Sequence, residues 1–317
     1  MSLITQLSKD LGLAPRDLLL IAKTAHYRYK EFRIPKKKPG SFRHIAQPAR
    51  EVKILQRWAI ENVIKLLPIH DKATAYVEGR NIKFNANCHS NNPFLLKMDF
   101  KDFFPSIIPQ DFKKHINQYL PDRYDGDDLE LLTRILFWKN NQGNMQLSIG
   151  GPSSPSVSNS IMYQFDSIIC ENCEALGISY TRYADDLAFS SKDFEKLRII
   201  QEKVSNTIKN ISYPKLTINN DKTVFLSKKG NRTVTGVVIN NNGLLSLGRE
   251  RKRKISCQIN YYKKGLLDKE SILEVRGMLC FAKDIEPSFI DRMITKYSKN
   301  TVSEIFQYNT YQSNDKN

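Results

Sequence analysis

Ile178-Ser179-Tyr180-Thr181-Arg182-Tyr183-Ala184-Asp185-Asp186-Leu187-Ala188-Phe189-Ser190-Ser191 is the stretch on which the fold turns. Apolar and hydroxylated residues run into Ala184-Asp185-Asp186 and out again, so residues 178–191 are predicted to form strand, turn, strand. Consecutive strand side chains point to opposite faces, so only a tight turn lets two adjacent carboxylates serve one site. An Asp-Asp pair is also ordinary turn chemistry, since Asp favours turns. The upstream context weighs against that plain reading. Phe94-Leu95-Leu96-Lys97-Met98-Asp99 is a short apolar run ending in a carboxylate, as in a buried strand, and it leads into Phe100-Lys101-Asp102-Phe103-Phe104-Pro105. If the two strands are sheet neighbours, Asp99, Asp185 and Asp186 converge at one edge.

Outside these strands the chain reads as mixed α and β. Residues 1–34 are predicted helical, with Leu18, Ile21, Ala22, Ala25 and Tyr29 as a stripe, and residues 35–48, with three prolines, as a basic loop or hairpin. In residues 51–67, Val52, Leu55, Ala59, Val63 and Leu66 give an amphipathic helix stopped by Pro68. Residues 111–138 read as helix, Gly150-Gly151-Pro152-Ser153-Ser154-Pro155 as a rigid turn opening another, and 216–226 and 234–239 as a strand pair. From Gly248 the pattern is helical and basic. The fold class is therefore α+β with a helical end.

Composition narrows the function. The 317 residues carry 49 Lys plus Arg against 33 Asp plus Glu, a net charge of +16, which points to a polyanionic partner. Arg249, Arg251, Lys252, Arg253 and Lys254 form one cluster, and Lys36, Lys37, Lys38 and Arg43 another. Tyr261 and Tyr262 beside Lys263 and Lys264 suit single-stranded nucleic acid, where rings stack and amines meet phosphates. The N-terminus lacks a secretion signal and the run Leu18 to Ala22 falls far short of the roughly 20 apolar residues a bilayer needs. A cytoplasmic protein without a membrane partner is expected. Five cysteines in no framework spacing read as reduced thiols, and the lone Cys170-Glu171-Asn172-Cys173 has no second pair to make a zinc site. A Gly-x-x-x-x-Gly-Lys phosphate loop is absent, which disfavours an NTPase.

Carboxylates converging from two strands suit nucleotidyl transfer, in which two Mg²⁺ ions about 3.5–4 Å apart neutralise the attacking and leaving oxygens. Together the two carboxylate stretches resemble the metal-binding motifs of reverse transcriptases. The resemblance implies a right-hand polymerase: N-terminal helices and fingers over 1–93, a palm of antiparallel sheet plus helices over 94–239 with a fingers insertion near 112–150, and a basic helical thumb over 240–317. It implies Asp99, Asp185 and Asp186 as catalytic metal ligands. Phe42-Arg43-His44-Ile45-Ala46-Gln47-Pro48 is similar to the family's Arg-x-Ile-x-x-Pro element, so Arg43, with Lys36 as a second candidate, would meet the incoming triphosphate. Phe104 stands where a bulky ring bars a 2′-hydroxyl, or is a plain core phenylalanine. Gly150 opens a Gly-x-Pro-x-Ser-Pro-like turn that supports the nucleotide, although Ile149 replaces the family's glutamine. Lys222 would protonate or shield the leaving pyrophosphate, or is a surface lysine.

Two further elements, Asn85-Ala86-Asn87-Cys88-His89 and Val234-Thr235-Gly236, resemble those of retron enzymes. The resemblance then implies a cognate structured non-coding RNA, recognised partly by Asn85 and His89 and gripped by Arg249, Arg251, Lys252, Arg253 and Lys254. It further implies priming from an RNA 2′-hydroxyl, a branched RNA–DNA product (msDNA), and an effector protein in antiphage defence. A reverse transcriptase of another bacterial lineage and a catalytically silent RNA-binding scaffold are the alternatives.

Overall fold

A computed structural model describes residues 2–36 and 39–309. Lys37 and Lys38, predicted in a basic loop, lie outside the described residues. The chain divides into two units interleaved in sequence, Met1–Gly79 with Leu96–Val224, and Arg80–Leu95 with Phe225–Asn317.

In the first unit, helices Leu3–Leu11 and Pro15–Ala25 precede a hairpin of β1 (Tyr29–Pro35) and β2 (Phe42–Pro48), paired antiparallel from Tyr29↔Pro48 to Pro35↔Phe42. The helix predicted through residue 34 thus stops early. Tyr29-Lys30-Glu31-Phe32-Arg33-Ile34 carries no clean alternation and is exposed beyond Tyr29; its pairing with Phe42–Pro48, rather than the helical stripe that borrowed Tyr29, decides the segment. The hairpin reading of 35–48 holds, with its strands reaching further out than the loop residues. Helix Arg50–Asn62 follows and buries Val52, Leu55 and Ala59 as their spacing requires.

β3 (Phe94–Lys101) forms where the apolar run predicts it. The single helix predicted over 111–138 is two, Pro109–Tyr119 and Gly126–Leu136. Pro121 and Asp122, the latter at φ 57°, break it, and the Asp125 carboxylate caps the second helix by accepting from Asp128 N–H. Short strands β4 (Trp138–Lys139) and β5 (Met145–Gln146) pair before helices Ser154–Ile161 and Tyr163–Leu176. β6 (Ser179–Tyr183) and β7 (Asp186–Ser191) form the predicted hairpin, closed by the two-residue turn Ala184-Asp185. With β8 (Thr217–Ile218) the central sheet runs β6-β7-β3-β8. Helices Tyr163–Leu176 and Phe194–Asn210 pack on β6 and β7, and Phe100, Phe165, Leu187 and Phe189 fill the space between. This rigid layer holds the hairpin turn at the sheet's end.

The second unit holds helix Ile82–Asn87, a three-stranded antiparallel sheet (Arg232–Val234, Val237–Ile239, Leu245–Ser246) and four helices, Arg249–Lys263, Lys269–Ile285, Pro287–Tyr297 and Lys299–Gln307. The strand predicted over 234–239 is broken by a turn at Thr235-Gly236, with Val234 ending one strand and Val237–Ile239 forming the next. Thr235 and Gly236 both have positive φ, 46° and 82°, the geometry that tight hairpins demand. The four helices share a core of Ile255, Ile259, Val275, Leu279, Val302 and Ile305.

Candidate active site

Backbone pairing brings the carboxylate segments together: Phe100 N–H donates to the Asp185 carbonyl at 3.1 Å, so the end of β3 lies beside the β6–β7 turn. Asp99 is 4 % exposed. The segment that follows β8 returns to it through a 3₁₀ turn, Asn220–Lys222. There Lys222 Nζ donates to both Asp99 oxygens at 2.9 Å, and Asn219 adds its amide side chain to Oδ2 at 3.2 Å. Lys222 is therefore a partner of Asp99 rather than a free surface lysine.

Charge in this corner is unbalanced. Burial raises the Asp185 carboxyl above its usual range, and the Asp99 charge raises it further. Asp186 is pushed to about 6 by burial and then by Asp185. Burial pulls the Lys222 ammonium down, but the hydrogen bond and charge of Asp99 outweigh it, so its pKa is raised. Among the described residues, no group of three or more His, Cys, Asp or Glu side chains stands arranged to hold a metal ion, and the Lys222 ammonium occupies both oxygens of Asp99. The donor set nevertheless fits a hard divalent cation. It is all carboxylate oxygen, and two of its members resist ionisation because burial and then a neighbouring carboxylate disfavour their charge, a cost a bound cation would offset.

Asp99, Asp185, Asn219 and Lys222 face a cleft of about 590 Å³, within the range of small-molecule sites, whereas Asp186, at the start of β7, is not among its lining residues. Lys36, Arg43, Phe104, Asp99, Asp185 and Lys222 all line it, and Ile149 does too. Arg43 is exposed on β2. Phe104 is half-buried within a turn closed by Ser106 N–H donating to the Asp102 carbonyl at 2.9 Å, and its ring meets Phe103 edge-on at 5.4 Å.

Gly150 serves the site indirectly. At φ 124° it lies against β2, where an added Cβ would sit 3.1 Å from both the Ala46 carbonyl oxygen and Ile45 Cγ2. Ala46 N–H donates to the Ile149 carbonyl at 3.0 Å, so this turn docks the arm that carries Arg43. Gly150→Ala is expected to cost about 1–3 kcal/mol, readable as a lowered denaturation midpoint, because only glycine adopts that backbone freely.

Two expected RNA contacts need correction. Asn85 and His89 are each 1 % exposed. Asn85 Nδ2 donates to Thr235 Oγ1 at 3.4 Å, so the two short elements form one internal joint within the second unit. Burial lowers the His89 pKa to about 3, leaving the ring neutral. The basic cluster is also partly committed. Arg251 donates to the Gly236 carbonyl at 3.1 Å and lies 4.7 Å over the Phe281 ring, while Lys252 and Lys254 pair with Glu286 and Glu274. Arg249 and Arg253 are exposed. In the Cys170/Cys173 pair, burial lifts the Cys170 thiol to about 11, which suits neither metal binding nor nucleophilic attack.

Tyr76, Asn219 and Trp138 also line the cleft and were not anticipated. Asn219 lies three residues before Lys222 and could have been picked out with it. Nothing in Thr74-Ala75-Tyr76 distinguishes the tyrosine from a core aromatic.

Comparison with known proteins bears on this geometry. Residues 34–239 match the family described as reverse transcriptase (RNA-dependent DNA polymerase). The chain is 42 % identical to the retron Ec83 reverse transcriptase of Escherichia coli, over 92 % of this chain and 94 % of that one. It is 34 % identical to the retron Ec73 reverse transcriptase of the same organism, over 84 % and 86 %. Among solved structures, apo telomerase from Candida tropicalis aligns with a TM-score of 0.50 at 13 % identity, covering 86 % of this chain and 58 % of that one, which is a likeness of fold.

Proposed function

This chain belongs to the reverse transcriptase (RNA-dependent DNA polymerase) family, among the retron enzymes, and from that premise we propose that the Asp99–Asp185–Asp186 corner is where it joins nucleotides. The observation that carries this reading is the Phe100–Asp185 backbone hydrogen bond, which sets strand-borne Asp99 beside turn-borne Asp185, next to Asp186, in a cleft also lined by Arg43 and Lys222. Asp99, Asp185 and Asp186 would hold two Mg²⁺ ions, which supply Lewis-acid stabilisation of the attacking and leaving oxygens. Arg43 and Lys36 attract the triphosphate, the Phe104 ring lies under the sugar, and Lys222 is poised between Asp99 and the departing pyrophosphate. Exposed Arg249 and Arg253 contact nucleic-acid backbone without base specificity, so binding falls steeply with salt.

The finer reading is that of a retron enzyme in the cytoplasm. The template is a cognate structured non-coding RNA, synthesis starts from an RNA 2′-hydroxyl, the product is msDNA, and an effector protein completes an antiphage system. The identity to two retron enzymes supports this assignment.

The test is dNTP incorporation on a primed RNA template with Mg²⁺, beside the same mixture with EDTA and beside protein co-expressed with RNA from its own locus. Mg²⁺-dependent DNA synthesis is expected, with a debranching-sensitive RNA–DNA product from the co-expressed RNA. Incorporation in neither setting would favour the silent scaffold, to which apolar Ile149 in the cleft lends its only support. Linear product alone would favour a non-retron priming mode.

A further inference from the structure

Tyr76 at φ 58° and Asp102 at φ 47°, both lining the cleft, hold left-handed backbone, and so does Ala184 at φ 57°, immediately before Asp185. Such conformations persist only where the surroundings over-determine them. One buried side chain reaches Ala184 directly and, through Asn159, the residue before Tyr76.

Arg182 is completely buried and forks onto Asp166, Nε to Oδ1 at 2.8 Å and Nη2 to Oδ2 at 2.6 Å. Tyr180 donates its hydroxyl to the same carboxylate at 2.7 Å. That pairing uses one edge of the guanidinium and leaves Nη1 with two protons. One goes to the Ala184 carbonyl at 3.2 Å and the other to Asn159 Oδ1 at 3.1 Å. Asn159 in turn donates Nδ2 to the Ala75 carbonyl at 2.7 Å. A carbonyl fixes the plane of its own peptide unit, hence ψ of its residue and φ of the next. The Ala184 carbonyl therefore sets how Asp185 leaves the turn, and the Ala75 carbonyl sets the left-handed φ of Tyr76.

We propose that Arg182, through Ala184 directly and through Asn159 to Ala75, is a positioning residue that aims the Asp185 carboxylate and the Tyr76 ring into the cleft together. Tyr76 is 56 % exposed there, far more than a core tyrosine, and so presents a ring face to whatever the cleft holds. Pairing with Asp166 suffices to neutralise the buried charge, but Nη1 goes further, to the Ala184 carbonyl directly and to Asn159, which holds the Ala75 carbonyl, and each carbonyl precedes a cleft residue. The inference rests on the polymerase reading of the same cleft only for its kinetic consequences.

The two arms separate by mutation. Asn159→Ala cuts the Ala75 arm and leaves the Arg182–Asp166 pair. Arg182→Lys keeps the charge but cannot make the fork and reach Ala184 at once. Ile200→Ala, at a buried helix position outside the cleft, serves as the control for lost stability. Mn²⁺ binding followed by electron paramagnetic resonance reads the carboxylate side, and the Tyr76 signal in fluorotyrosine-labelled protein, assigned with Tyr76→Phe, reads the other.

Arg182→Lys is expected to weaken Mn²⁺ binding about tenfold or more, the size typical of residues that orient metal ligands. Asn159→Ala is expected to shift the Tyr76 resonance while leaving Mn²⁺ affinity within about twofold, below that range. In dNTP incorporation, Asn159→Ala should act on KM and Arg182→Lys on kcat. Ile200→Ala should move none of these. Wild-type Tyr76 resonance and Mn²⁺ affinity in folded Asn159→Ala and Arg182→Lys protein would overturn the proposal and leave a purely structural ion pair. Should Arg182→Lys fail to fold, the Tyr76 signal in Asn159→Ala decides alone. Absence of incorporation by wild type would sink the polymerase reading, while the binding and resonance measurements would still judge this one.

Discussion

Asp185→Asn is expected to lower dNTP incorporation by at least about 10³-fold, roughly 4 kcal/mol of transition-state stabilisation, and at the same time to raise thermal stability in the absence of Mg²⁺. Both effects come from one cause. The carboxylate is buried beside Asp99, where its charge is unfavourable until a cation arrives. An amide of the same shape removes that repulsion and removes the cation ligand with it.

Asp186 gives the sharper form of the test, because its carboxyl lies near 6 in the folded chain against an ordinary 3.8. A raised carboxyl pKa means the folded state holds its proton more tightly than the unfolded one. Stability is therefore greatest below pH 3.8 and is lost as pH rises through about 6. Asp186→Asn abolishes this slope. Its advantage over wild type should be full at pH 7.5, about 1–2 kcal/mol after solvent screening, and should vanish as the pH approaches 4. Adding Mg²⁺ should reverse the order, since binding stabilises only the protein that keeps its ligands. Differential scanning fluorimetry across pH, with EDTA or Mg²⁺, checks every part. An Asn variant less stable than wild type at pH 7.5 in EDTA would show that these carboxylates are structurally satisfied and not waiting for a cation.

Why the hairpin and Asp99 were readable while Arg182 was not follows from what each type of signal encodes. Asp185 and Asp186 sit between apolar strands, and period and turn chemistry agree there, so local rules suffice. The same rules mistook Tyr29 for the end of a helix because it falls in step with Leu18, Ala22 and Ala25, and its pairing with Pro48 is a non-local fact that no local period records. Short motif matches gave Asn85 and His89 a partner outside the protein, since a motif states which residue is present but not how deep it lies. Each is 1 % exposed. Arg182 and Asp166 are sixteen residues apart and look like solvated charges in sequence; only the folded sheet brings the fork and the carboxylate into one buried volume. Lys222 lies between these cases. The family resemblance marked it, but its bond to Asp99 depends on a 3₁₀ turn at Asn220–Lys222 that the local sequence does not announce.

Phe104→Ala should increase the ratio of rNTP to dNTP incorporation by about 10²-fold, some 2.7 kcal/mol of discrimination, with overall dNTP activity reduced far less. The ring is half-buried at the cleft, braced edge-on by Phe103, which itself stacks on Phe100 at 5.8 Å in the sheet core. A ring supported from behind cannot withdraw, so a group that projects beneath the sugar meets a wall rather than a flexible side chain. Truncation to a methyl group opens that space without touching the carboxylates or Arg43. Phe104→Tyr keeps the wall and should keep the selectivity, which separates shape from hydrophobicity. If Phe104 only fills the core, the alanine variant will lose stability by about 3–5 kcal/mol while its rNTP to dNTP ratio stays at the wild-type value. Single-nucleotide incorporation with matched rNTP and dNTP pairs, read beside a denaturation curve, distinguishes a selector from a packing residue.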